Sequence, residues 1–74
     1  MERGPAYPNE RIAAELREKI TDGAWLPGEQ LPSVAALCET YQVSRVTVMK
    51  ALGILREEGL ITTVPRWGSF VAER

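Results

Sequence analysis

The 74 residues predict a mainly α domain of three helices followed by one small β-hairpin, on three observations. Apolar residues recur at helical spacing in three separate stretches. Residues suited to helix ends, Gly23, Ser33, Ser44 and Gly59, punctuate those stretches. Two short β-branched runs near the C-terminus flank Pro65-Arg66-Trp67-Gly68, a turn-forming segment.

Residues 1–8, with Pro5 and Pro8 around Tyr7, read as a loose arm, so the folded domain is expected to span residues 9–74. Ile12, Ala13, Leu16 and Ile20 form one helical stripe, while Glu10, Arg11, Glu15, Glu18 and Lys19 cover the opposite face. That first helix is expected to end at Asp22-Gly23. The stretch Trp25 to Leu31 holds Pro27-Gly28 between apolar anchors and predicts a tight bend with at most a very short strand. Ser33 then suits the N-cap of a second helix of two to three turns, with Val34, Leu37, Cys38 and Tyr41 as its apolar side. No glycine follows it. Gln42 or Tyr41 must therefore take the positive φ of the turn, at a cost of about 1 kcal/mol.

The third helix is expected over residues 44–58. The Ser44 hydroxyl can accept from one of the first free backbone N–H groups, and Val43 can pack back onto Val48. Val48, Ala51, Leu52 and Leu55 make the core stripe, and a rotation of about 100° per residue leaves Val46, Lys50, Gly53 and Glu57 opposite it. Arg45, Thr47 and Met49 flank that face near the positive end of the helix macrodipole, an end suited to phosphate. Two short helices joined by a few residues form a helix-turn-helix, whose second helix enters a DNA major groove. Leu60 to Val64 and Ser69 to Val71 supply the hairpin, and the whole reads as a winged helix-turn-helix.

Composition narrows the function classes. With no histidine and a single cysteine, the chain lacks the parts of Ser-His and Cys-His catalysis, of a histidine-rich metal site and of an internal disulfide. No run reaches the roughly 20 apolar residues that cross a bilayer, and Met1 to Pro5 do not resemble a secretory signal. The default expectation is a cytoplasmic protein that is not an enzyme and uses no cofactor or metal. The net charge of −1 argues against indiscriminate nucleic-acid binding. Charge is uneven, however: residues 1–43 carry four basic and seven acidic groups, and residues 44–74 carry five basic and three acidic.

The ordered set Ile12-x3-Leu16-x3-Ile20, Gly23, Leu26-Pro27-Gly28, Leu31-Pro32-Ser33, Leu37, Val43-Ser44-Arg45, Thr47-Val48, Ala51-Leu52, Leu55, Glu58-Gly59-Leu60-Ile61 and Gly68-x-Phe70-Val71 covers most of the chain. In that order and spacing it resembles the N-terminal DNA-binding domain of GntR-type bacterial transcription regulators. The resemblance implies a sequence-specific regulator of double-stranded DNA, most often a repressor. Its DNA contacts carry over to Ser33, Ser44, Arg45, Thr47 and Gly68, where the residues agree. Three positions depart: Ala35 and Met49 stand where arginines are common, and Arg66 replaces the first wing glycine.

Arg45 is the expected base reader, since its guanidinium can bond guanine O6 and N7 together. Ser44 and Thr47 suit phosphate or a base edge, Lys50 suits phosphate, and Val46 shares their face. Arg66, Trp67 and Gly68 form the tip of the wing, residues 65–69, expected in the adjacent minor groove or on the backbone. Two copies, a homodimer at least on DNA, would place reading helices about 34 Å apart on a palindromic operator. The resemblance places ligand sensing and dimerisation in a further domain, so no small-molecule effector site is expected here, and the chain is either a piece of a longer regulator or a small stand-alone one.

Simpler roles compete. Arg45 could pair with Glu39 or Glu57, Met49 fits the core edge better than a reader of thymine methyl groups, and Trp67 either folds back or lies against DNA. Trp25 and Tyr41 suit helix packing, Cys38 suits an apolar filler, and Asp22, Glu57 and Glu58 read as solvated helix-end charges. At the level of the whole chain, the rivals are a winged helix that binds protein, or an accessory domain of a larger regulator with an aminotransferase-like domain that binds pyridoxal phosphate.

Overall fold

Pro8 opens the first helix, α1, which runs to Thr21. The computed structural model describes residues 8–73, so the rest of the expected N-terminal arm lies outside the described residues. The helix thus starts one residue before the Asn9 start read from sequence. A proline fits there because its fixed φ is already helical and its missing N–H would have had no intrahelical acceptor. The α1 stripe is buried as its spacing requires, with Ile12, Ala13 and Leu16 at 2% exposure or less. Gly23 ends the helix at φ 84, and the N–H of Ala24 returns to the carbonyl of Lys19 at 2.9 Å.

The second and third helices, α2 (Val34–Tyr41) and α3 (Arg45–Glu57), are joined through Gln42, Val43 and Ser44. Gln42 takes the left-handed conformation, φ 55 and ψ 50, and its backbone N–H donates to the Cys38 carbonyl. Its side chain adds a bond from Nε2 to the Glu39 carbonyl at 2.8 Å. These bonds offset the cost of the strained φ, about 1 kcal/mol, that a glycine would have avoided. At the far end of α3, Gly59 has φ 78, its N–H reaches the Arg56 carbonyl, and the N–H of Leu60 reaches the Leu55 carbonyl. That pair of bonds closes a Schellman motif, with both leucines buried.

After α3 come β1 (Ile61–Val64) and β2 (Gly68–Val71), antiparallel, with Ile61 opposite Val71 and Val64 opposite Gly68. The very short strand allowed near Leu31 is reduced to a single bridge, Gln30 opposite Phe70, on the other side of β2. There the N–H groups of Gly28 and Leu31 donate to Val71 and Ser69, and the N–H of Val71 donates to Glu29. The hairpin is thereby fixed to the segment that leads into α2.

Val48, Ala51 and Leu55 of α3 are fully buried and sit at the centre of a core with Leu16, Leu31, Leu37, Leu60, Ile61 and Val71. Trp25, Cys38 and Tyr41 pack half-buried against it. Glu58 is exposed at the end of α3, as read from the sequence, and it also takes an ion-pair partner. The guanidinium of Arg17 in α1 donates to both its oxygens, Nε to Oε1 at 2.8 Å and Nη2 to Oε2 at 2.7 Å. The two residues meet because α1 lies along α3, a placement that local periodicity does not encode. Three helices and the hairpin compose a winged helix-turn-helix.

Candidate nucleic-acid interface

Ser44, with φ −77 and ψ 163, stands just outside α3 and accepts the Thr47 N–H on its hydroxyl at 3.3 Å. The two hydroxyl oxygens are 3.2 Å apart. The cap therefore holds both hydroxyls at the helix entrance, beside N–H groups left without helical acceptors. Arg45 is exposed on the same end, Val46 is 62% exposed, and Lys50 is exposed further along α3. Among the described residues the ion pair formed is that of Arg17 with Glu58, so Arg45 is not engaged by Glu39 or Glu57.

The N-terminus of α2 is built in the same way. Ser33, at φ −67 and ψ 162, accepts the Ala36 N–H at 3.1 Å. Both capped ends present positive dipole poles to solvent.

The wing tip turns through Pro65 and Arg66, with the N–H of Trp67 donating to the Val64 carbonyl at 3.0 Å. Proline second and a positive φ third are the features of a type II turn, and Arg66 supplies that φ at 73. The missing wing glycine thus has a structural consequence, a strained arginine held at the tip. Next to it, Gln30 donates from Nε2 to the Trp67 carbonyl at 2.6 Å. Gly68 has φ 118, and a Cβ there would sit 2.9 Å from the same Nε2. Trp67 does not fold back onto the domain, being 71% exposed.

Between α3 and the wing lies an open groove of about 450 Å³. Ser33, Arg45, Arg66, Trp67 and Gly68 all line it, so these sequence-expected residues come together. Ser44, Val46 and Thr47 form the α3 tip outside that lining, and Lys50 borders a separate depression with Asn9 and Gly53. The groove contains three arginines, Arg45, Arg56 and Arg66, and no carboxylate. A chain of net charge −1 therefore concentrates positive charge where α3 meets the wing.

Sequence reasoning missed Gln30, Arg56 and Thr63. Arg56 donates from Nη1 to Thr63 Oγ1 at 3.2 Å, and Thr63 lies 3.4 Å from the hydroxyl of buried Ser69. This chain of contacts ties α3 to both wing strands. Met49 also differs from expectation: it is 49% exposed and lines the groove instead of the core edge. Val48 and Leu52 already fill the adjacent core positions, which turns Met49 toward the wing. The spacing Arg45, Met49, Leu52, Arg56 was the available signal, since steps of four, three and four keep one helix face.

The model of the bacterial regulatory proteins of the gntR family matches residues 8–71. The chain belongs to the GntR family. It is similar to the histidine utilization repressor of Klebsiella aerogenes, 39% identical over 69 residues, which covers 93% of this chain and 29% of the relative. It is also similar to the HTH-type transcriptional regulator YjiR of Escherichia coli, 43% identical over 65 residues, 88% of this chain and 14% of that one. The chain thus spans less than a third of the length of these GntR relatives. Among solved structures, the AraR DNA-binding domain in complex with operator ORX1 superposes with a TM-score of 0.86 at 31% identity, covering 97% of this chain and 93% of that one. The winged helix described above is accordingly a GntR-family DNA-binding domain.

None of the described helices is long and apolar enough to cross a membrane. Among the described residues there is no group of three or more histidine, cysteine or carboxylate side chains that could hold a metal ion.

Proposed function

We propose that this domain is the operator-reading part of a transcription repressor acting in the cytoplasm, without enzymatic activity of its own. The α3 tip enters a major groove with Arg45 on a guanine, while Lys50 and the capped helix ends of Ser33 and Ser44 hold phosphates. The wing, with Arg66 and Trp67, follows the adjacent backbone or minor groove. The observation that carries this reading is the groove between α3 and the wing, lined by three arginines and no carboxylate. Support comes also from the likeness to a relative named as a repressor and to a domain solved on its operator.

Two copies bind a palindrome. A lone domain with few phosphate contacts and a net charge of −1 gains little from counterion release, whereas a pair neutralising about eight phosphates gives log K a slope near −7 against log salt. Selection of the full chain against a randomised duplex pool, followed by sequencing, tests the proposal. A recovered palindrome supports it. Recovery of no sequence overturns it and favours a winged helix that binds protein.

A further inference from the structure

Val46 and Met49 are the two large apolar side chains that α3 exposes, at 62% and 49%, and neither packs against the core cluster. Three residues apart, they lie on one side of the helix, with Arg45 one residue before Val46 and four before Met49. Neither offers a hydrogen bond to a base or a charge to a phosphate. Along the major groove the apolar feature of the base edges is the C5-methyl group of thymine. We propose that Val46 and Met49 are specificity-determining residues that pack on thymine methyl groups, so that the half-site carries thymine within a step or two of the guanine read by Arg45.

This rests on the reading that α3 enters a major groove, and it changes the chemistry expected at Met49. An arginine there would add a phosphate or guanine contact that retains affinity for many sequences. Methionine instead contributes only where a methyl group meets it, and its flexible thioether side chain adapts to the base step presented. Selectivity at that position comes from buried apolar area, with the polar contacts left to Arg45 and Lys50.

Replacing thymine by deoxyuridine removes the methyl group and leaves every hydrogen-bonding atom of the base pair in place. The test takes the duplex recovered from the randomised pool and replaces its thymines one at a time. Burial of one methyl predicts a loss of about fourfold at one half-site and about 15-fold when both half-sites are changed. In M49A or V46A the loss on uracil substitution should disappear at the thymine that the replaced side chain meets, while circular dichroism confirms an unchanged fold, as both side chains are exposed. A recovered site that tolerates uracil at every thymine overturns the methyl contact and leaves the operator-reading function standing. Recovery of no site overturns both.

Discussion

Replacing Gly68 with alanine should destabilise the wing through two separable effects. The first is backbone strain. Gly68 has φ 118, where an L-residue is held at a cost of about 1–2 kcal/mol. The second is a collision, since the new Cβ would stand 2.9 Å from Gln30 Nε2. Relieving it moves the Gln30 amide away from the Trp67 carbonyl, which it now meets at 2.6 Å, and an exposed bond of this kind contributes about 0.5–1 kcal/mol. The sum is about 2 kcal/mol. With a urea dependence of about 1 kcal/mol per molar, the unfolding midpoint should fall by roughly 2 M. Because a small domain has only a few kcal/mol to lose, the measurement is best made in a stabilising osmolyte. A double-mutant cycle separates the two effects. In a Q30A background G68A should cost only the strain, leaving a coupling of about 0.5–1 kcal/mol. A midpoint that hardly moves, or a coupling of zero, refutes the assigned roles of Gly68 and Gln30.

Gly53 gives the opposite expectation. It lies inside α3 without a positive φ, and a Cβ there would meet only Arg56 Nη2 at 3.7 Å, so G53A should stabilise the domain by about 0.5–1 kcal/mol and raise the melting temperature by roughly 4 °C. A lower melting temperature in a calorimetric scan would contradict that. The ion pair of α1 with α3 predicts an acid dependence: hydrogen bonding to Arg17 holds the Glu58 carboxyl below its ordinary value of 4.5. Because the folded value is the lower one, the pair's contribution is present above 4.5 and is lost as pH falls through the folded value. Stability curves against pH for wild type and E58Q should therefore converge in acid. Parallel curves would show that the pair contributes nothing.

The helices were legible because their information is local. Ser33 and Ser44 cap α2 and α3 as their positions suggested, and Gln42 takes the left-handed turn that the lack of glycine demanded. Arg45, the leading candidate, is exposed at the α3 entrance. What escaped the sequence is long-range. Gln30 holds a carbonyl 37 residues away, and Arg17 meets a carboxylate 41 residues away, pairings that no helical or strand period announces. Met49 was misplaced for a different reason. Its helical angle falls at the edge of the apolar stripe, and only the packing of Val48 and Leu52 decides which way it turns. Arg66 shows a third case: the missing wing glycine was visible in sequence, while its consequence, an arginine held at φ 73, needed the turn geometry.

Base reading by the entrance of α3 is tested by titrating wild type and R45A against the recovered duplex and a scrambled duplex of the same composition, at one fixed salt concentration. The expected result is a loss of about 1–3 kcal/mol for R45A on the recovered duplex, little change on the scrambled one, and relaxed preference at a single base pair in each half-site. Equal losses on both duplexes would contradict the account and make Arg45 a phosphate contact.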